Sequence, residues 1–563
     1  MKVTRRHLIK MLSYAIPALT SPQMRAFMRG KTGVVPGGVT ATIEVLQSSD
    51  AAALPDLLVY GGTSSGVMTA YSAAREGLRV VLLEAGAHLG GMVTGGLSGT
   101  DLGHYSIIGG YVRDFYLKAA SHYGVRDLDR MENWYSEPHM GEDLFRGMLK
   151  DAGVTVLYHQ RLRELNGVEL EGKRIVSIST EDGKRWTAKI FADCTYEGDL
   201  MAKAKVGYAW GRESASEYNE DLAGVRAKTP MNQFRWAVSA YDKHHRLLPE
   251  IDPGPLAAAG SGDKKVQAYN FRLILSNDPE NRLPFPRPEG YDRSRFALLE
   301  RYLNEYESHT GGRPGIKDLC NFVVIPNRKA DFNNQNGFGS DYIGRNWKYP
   351  EAGYSEREAI WKDHLTYIQC FYYFITHDHK LPAGLRAETS EWGLSKDEFT
   401  DTDHWPHQLY VREARRMVGD YVMRQPDTVS ERTKSDSIGM GSYNIDSHNT
   451  QRVAMPDGNV LNEGDVQFPV KPYEISYRSI TPRRAEVENL LVTVCMSATH
   501  IAYCSIRMEP QYMILGQAAG TAASLAVNSR KAVQDISISD LQRKLREHGA
   551  VLHLDEEFRP AAT

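Results

Sequence analysis

From Asp56 onward, short unbroken apolar runs alternate with glycine-punctuated stretches. Asp56-Leu57-Leu58-Val59-Tyr60 has the length and composition of a buried strand, Gly61-Gly62-Thr63-Ser64-Ser65-Gly66 is a turn, and Val67 to Glu76 has helical composition until Gly77 stops it. A second apolar run, Arg79-Val80-Val81-Leu82-Leu83, ends at Glu84, 23 residues after Gly61. Strand, glycine turn, helix and strand in this order predict the βαβ unit that binds dinucleotides. Backbone N–H groups of the turn, with Gly61, Gly62, Thr63, Ser65 and Gly66 around it, face a pyrophosphate at the helix N-terminus. Glu84, at the tip of the second strand, accepts from a ribose hydroxyl.

The turn departs from G-x-G-x-x-G at its middle position, where Thr63 replaces glycine beside Gly62. Beyond Glu84 come Gly90-Gly91-Met92 and then Gly95-Gly96, doublets that bring backbone close to a large planar cofactor. Lys189 to Asp193 reads as a strand entering Cys194-Thr195-Tyr196-Glu197-Gly198-Asp199, where the chain, Glu197 included, meets the adenosine half of a dinucleotide. Asn489 to Cys495 reads as a further buried strand, followed by a small polar loop and a helix on which Gly516, Ala519, Gly520 and Ala523 share one face. Such a face lets the helix lie close to the sheet and beside a cofactor; tight helix packing without a ligand is the competing reading.

Composition excludes several classes. The chain has 563 residues, 42% hydrophobic, which removes disorder, and a formal charge of -3, which removes a globally basic nucleic-acid binder. Five scattered cysteines without a C-x-x-C pair offer neither a disulfide framework nor a metal clip. His404 with His407, and His377 with His379, are close histidine pairs that could ligate a metal, but without acidic or cysteine ligands at motif spacing no metal is expected. No serine segment matches G-x-S-x-G, which argues against a serine hydrolase.

The N-terminus carries Thr4-Arg5-Arg6-His7-Leu8-Ile9-Lys10 and then the short apolar stretch Met11 to Leu19, the form of a twin-arginine export signal. A periplasmic or extracellular protein is therefore expected, folded and loaded before export. No apolar run reaches the roughly 18 to 20 residues needed to cross a bilayer, so no stable membrane insertion is expected after export.

Several motifs taken together resemble one bacterial family. They are Gly61 to Gly66, His88-Leu89-Gly90-Gly91-Met92, Thr195 to Asp199 with Gly211-Arg212-Glu213, His404-Trp405-Pro406-His407-Gln408-Leu409-Tyr410, and Ser505-Ile506-Arg507-Met508-Glu509-Pro510. The family is that of the FAD-dependent oxidoreductases often called xanthan-lyase-like, and the likeness runs from about Pro55 to about Leu552. It implies FAD as cofactor and an α/β fold with a glutathione-reductase-type FAD-binding Rossmann domain. The expected division is a signal and disordered linker over 1–52, the FAD-binding domain over 53–211 and 426–552, an inserted α+β substrate domain over 212–425, and a tail over 553–563. The insertion holds five of the eight tryptophans (Trp236, Trp347, Trp361, Trp392 and Trp405), which suit stacking on sugar faces or, alternatively, the filling of an irregular core.

Oxidation of an alcohol needs a base near neutral pH. His500, read in the loop Ser497-Ala498-Thr499-His500-Ile501 and implied by the resemblance to face the flavin ring, is the first candidate, with a structural histidine as the alternative. His404, His407 and His448 follow; His448 lies in Asp446-Ser447-His448-Asn449, which offers substrate hydrogen bonds or an Asx-type turn. Arg507 is read near the start of the next helix, paired with Glu509 or the flavin pyrimidine. The expected activity is oxidation of a carbohydrate or polyol hydroxyl. The substrate is a small molecule or oligosaccharide, the electron acceptor is unassigned, and no nucleic acid takes part. The alternatives are a reductase or desaturase of a carboxylic acid held by Arg478, Arg483, Arg484 or Arg507, and a polysaccharide lyase or sugar-binding protein.

Overall fold

The computed structural model describes residues 54–226, 229 and 231–555. The export segment and linker over 1–52, and residues 556–563 of the tail, lie outside them. The first two apolar runs become β1 (Leu57–Tyr60) and β2 (Val80–Leu83), joined by β3 (Thr155–Leu157), β4 (Ile190–Asp193) and, from near the C-terminus, β5 (Leu490–Val492). They form a parallel sheet in the order β5-β4-β1-β2-β3, with Leu57 opposite both Val80 and Ile190. Every residue of β1, β4 and β5 is buried, which is why they read as unbroken apolar runs rather than alternating ones.

Helix α1 spans Ser64–Arg75 and so begins three residues before the predicted Val67. The reason is Thr63, whose hydroxyl accepts from the Gly66 N–H as an N-cap and pulls the polar turn residues into the first helical turn. Helices α2 (His500–Ile506) and α3 (Glu509–Ser529) follow β5. The small-residue face of α3 lies on α1 and not on the sheet: a Cβ on Gly516 would overlap the Ser65 carbonyl, and one on Gly520 would come within 2.8 Å of the Ala73 nitrogen. Ser72 Oγ donates to the Gln517 carbonyl across the same seam at 2.9 Å.

The stretch between β4 and β5 contributes a second, antiparallel five-stranded sheet in the order Arg282–Leu283, Gly393–Ser395, Leu273–Ser276, Lys329–Asn334, Cys320–Ile325. Helices Ala297–Thr310 and Tyr354–His377 accompany it. Its tryptophans mostly pack on other rings: Trp361 meets Phe271 edge-on at 5.3 Å, Trp392 meets Phe332 at 5.2 Å, and Trp236 stacks on His309 at 5.2 Å. Trp405 is buried in the core, Trp236, Trp361 and Trp392 are half-buried against it, and Trp347 is half-buried. The segment after the glycine doublets lies against this sheet, where the Gly99 N–H donates to Asp331 at 3.0 Å and a Cβ on Gly96 would overlap the Arg272 carbonyl.

Buried ion pairs tie distant segments together. Arg212 bridges Asp263 and Glu463, and Arg357 and Arg415 share Asp199, each pair closed by hydrogen bonds. All five cysteines are free and buried. Among the described residues no helix is long and apolar enough to cross a membrane.

Candidate active site

The glycine turn is built by close approach. Gly61 has φ +101°, and a Cβ there would stand 2.9 Å from the Thr195 nitrogen at the end of β4. Thr63 has an ordinary φ of -62°, and its hydroxyl donates to the Cys194 carbonyl at 2.7 Å while it caps α1. The departure from glycine is thereby explained: the position needs no left-handed backbone, and its side chain is held by turn and cap. The Ser65 side chain donates to Thr493 Oγ1 at 2.8 Å just beyond β5.

Glu84 accepts from the Gly62 N–H at 2.6 Å and from the Gly86 N–H at 2.5 Å. Burial raises its pKa above the usual carboxylate value despite those two donors. It edges a cleft of about 160 Å³ whose walls are Gly62, Thr63, Gly86 and Gly91 on one side and His407 and Gln408 on the other. The Gly90 N–H donates to the Gly62 carbonyl at 2.7 Å, fastening the second glycine loop to the first.

Behind Gly91, whose missing Cβ leaves room for the Tyr196 hydroxyl, lies a buried relay that the sequence did not disclose. The Met92 N–H donates to Tyr196 Oη at 2.8 Å, Tyr196 Oη donates to Glu509 Oε1 at 2.7 Å, and Ser64 Oγ donates to Glu509 Oε2 at 2.5 Å. Burial pushes the Glu509 carboxyl up to about 7. Its one sequence signal was its place in the Ser505 to Pro510 motif. The Glu197 carboxylate accepts from Tyr349 at 3.1 Å, a contact with the stretch between β4 and β5. Gly516 and Gly520 form the α1–α3 seam, and Ala519 is buried on the same helix.

FAD fits these residues. The Glu84 carboxylate suits a ribose, and the first turn of α1 with the N–H groups around Gly61 to Gly66 suits a pyrophosphate. Ser98 Oγ, Arg507 Nε and both amide atoms of Gln511 are buried without a protein partner, the condition that ribityl hydroxyls and a pyrimidine edge satisfy.

His500 is placed differently from the expectation. It is the first residue of α2, with Thr499 as N-cap, and not part of a loop. Its ring is enclosed, with Nδ1 2.7 Å from Glu413 Oε2 and Nε2 3.2 Å from Ser447 Oγ. Burial alone would lower its pKa, but the Cys504 sulfur and the Glu413 carboxylate outweigh it and push the value up to about 10. A charged imidazole with both nitrogens engaged is not poised to take a proton, so His500 is an ion-pair partner. Glu413 is also paired with Arg416, which bridges to Glu213.

His404 sits in a turn at φ +66°, its Nδ1 on the Glu398 carbonyl at 3.1 Å. His407 instead stacks on His88 with ring centroids 3.8 Å apart, so the two histidines share no metal geometry. His448 remains. Its Nδ1 is 2.6 Å from Asp341 Oδ2, and its Nε2 faces Asp446 Oδ2 at 3.6 Å. Burial and Arg412 oppose its ionisation, but Asp341 and Asp446 outweigh them and hold its pKa above the usual imidazole value.

Arg507 caps the C-terminus of α2, where its charge suits the helix dipole, and it does not open the next helix. It donates to Tyr410 Oη at 2.9 Å, and to the Asp446 carbonyl and carboxylate at 2.7 and 3.2 Å, and so is not paired with Glu509. A single residue, Met508, therefore separates the group touching the glycine turn, Glu509, from the group touching the His448 cluster, Arg507.

A family model described as FAD dependent oxidoreductase matches residues 56–545. No curated protein matches the chain. Among solved structures, a flavin monooxygenase from Stenotrophomonas maltophilia is similar at 20% identity over 25% of this chain and 37% of its own, with a TM-score of 0.18. A Lactococcus lactis thioredoxin reductase is similar at 20% identity over 25% of this chain and 34% of its own, with a TM-score of 0.16. NikD, an amino acid oxidase of nikkomycin biosynthesis, is similar at 14% identity over 28% of this chain and 56% of its own, with a TM-score of 0.21. The matched part thus spans between about a third and just over half the length of each of these proteins. By the family match, which takes in the glycine turn, Glu84 and both segments that meet at Arg507 and His448, the chain belongs to the FAD-dependent oxidoreductases, and FAD is its cofactor.

Proposed function

We propose that the protein oxidises a hydroxyl of a carbohydrate or related polyol, with His448 as the proton acceptor. The observation that carries this reading is the Asp341–His448 pair, 2.6 Å apart, beside an Asp446 that Arg507 holds. FAD, when bound, supplies a two-electron acceptor for the hydride. Asp341 takes the Nδ1–H of His448 and fixes the tautomer; Nε2 stands 3.6 Å from Asp446 Oδ2, beyond hydrogen-bond distance, and receives the hydroxyl proton when the ring is neutral. Arg412, hydrogen-bonded to Asp341 at 2.8 Å, keeps that carboxylate ionised. The carboxylic-acid reading draws less support, since Arg478 and Arg484 are paired with acidic side chains of the protein and Arg507 is held by Asp446.

The same reading takes the FAD-binding part as glutathione-reductase-type, the chain as a xanthan-lyase-like member of its family, and the protein as exported through its twin-arginine segment to meet a small-molecule or oligosaccharide substrate. Changing Arg5 and Arg6 to Lys should trap holoprotein in the cytoplasm; equal export of parent and variant would refute that part.

Anaerobic mixing with sugars, polyols and unsaturated acids tests the chemistry. Flavin bleaching by a sugar or polyol is expected, and His448→Ala should slow it on the order of 100 to 10,000 times while flavin content is kept. Bleaching by unsaturated acids alone, or a variant as fast as the parent, would overturn the assignment.

A further inference from the structure

The cleft at Glu84 has one wall from the nucleotide-binding half and one from the inserted stretch, and the two are fastened together. His88 stacks on His407 with planes 11° apart and centroids 3.8 Å apart. The nitrogens of His88 are engaged on opposite sides, Nδ1 with Glu142 Oε2 at 3.1 Å and Nε2 with Asp401 Oδ2 at 3.1 Å. Glu142 belongs to the nucleotide-binding half, where Arg146 also holds it; Asp401, His407 and Gln408 belong to the inserted stretch. A stack and an ion pair therefore cross the cleft's edge through one residue.

We infer that the segment from Asp401 to Gln408 is a working part of the FAD site, the outer wall of its adenosine end, clasped shut by His88. The inference rests on FAD as cofactor and on Glu84 as the ribose partner. It assigns to this segment retention of the adenosine half, a role distinct from the chemistry at His448.

The charges around the clasp agree with it. The Glu142 hydrogen bond, acting against burial and helped by Asp401, raises the His88 pKa, while burial and the neighbouring His88 charge push His407 down to about 3. A protonated His88 on a neutral His407 makes a favourable ring contact. The remaining facing groups are Glu84, which the His88 charge also reaches, and Phe399, edge-on to His407 at 5.7 Å. Because His88 is raised, the clasp is complete below the ordinary imidazole pKa and weakens as pH rises through the raised value.

The test measures FAD release from full-length holoprotein by recovery of flavin fluorescence, and FAD and FMN binding to the same chain after flavin removal. FMN lacks the adenosine half and is the internal control. His407→Ala and Asp401→Asn should each speed FAD release about tenfold, leave FMN binding unchanged, and reduce the acceleration of release at alkaline pH. His404→Ala, in the same segment but bonded to the Glu398 carbonyl, should release FAD at the parental rate. Unchanged FAD release in both clasp variants, equal weakening of FAD and FMN, or an equal effect of His404→Ala would overturn the inference. Should His407→Ala fail to fold, Asp401→Asn, whose side chain is 57% exposed, carries the test alone. Parental protein that binds no FAD would refute the cofactor reading itself.

Discussion

Gly66 rests on the carbonyl of Gly61: a Cβ on Gly66 would overlap that oxygen and stand 3.2 Å from the Cys194 Cβ. Helix α1 reaches β1 and β4 only because that methyl is missing, and the geometry of the turn depends on the approach. Gly66→Ala should lift the helix, cost about 1–3 kcal/mol through overpacking, and strip the protein of flavin. The flavin-to-protein absorbance ratio of purified variant checks this; a parental ratio would show that the turn tolerates the displacement.

The α1–α3 seam makes a separable prediction. Gly520→Leu forces a branched side chain against the Thr69 carbonyl and the Ala73 nitrogen, so thermal unfolding should move down by several degrees. Since neither Gly520 nor its neighbours Thr69 and Ala73 line the cleft, variant that folds at low temperature should still take up FAD. Loss of FAD binding with unchanged melting would place the seam at the cofactor after all.

For His500 the prediction concerns stability. Its folded pKa of about 10 lies above the ordinary imidazole value, so its contribution is fully present below roughly pH 6.5 and is lost as pH rises through about 10. The stability gap between parent and His500→Gln, read from denaturant midpoints, should shrink over that window. Glu413→Gln, which breaks a fully buried pair, should cost about 3–5 kcal/mol. A gap independent of pH would show that His500 is not held charged.

How much of this could be read beforehand depends on sequence distance. β1, the turn at Gly61, β2 and Glu84 are local features, and their apolar runs and glycines announced them; the strand ends shifted by a residue or two and α1 by three. The small face of α3 was also visible, but its partner was not, because helix composition does not say whether sheet or helix lies beneath it. The surroundings of the histidines were hidden for the same reason. His500 is explained by Glu413, 87 residues away, and His448 by Asp341, 107 residues away, pairings that no local pattern encodes. Thr63 departs from the motif pattern, and its role as cap and as partner of the Cys194 carbonyl lies in contacts that the pattern does not encode.

Asp341 offers a finer check of the proposed base. The raised pKa of His448 means that the neutral, proton-accepting ring becomes available as pH increases, so kcat/KM for flavin reduction should rise through an inflection above the ordinary imidazole value. Asp341→Asn removes the carboxylate that sustains the shift, and the inflection should move to lower pH while the limiting rate falls. An inflection that stays in place would assign it to another group.

The visible spectrum of the purified full-length protein, taken before and after acid precipitation, tests the central claim most directly. The cleft at Glu84, the Gly61–Gly66 turn and the family match predict a yellow protein with flavin absorbance and FAD as the bound dinucleotide. A colourless protein that takes up no added FAD would contradict the account.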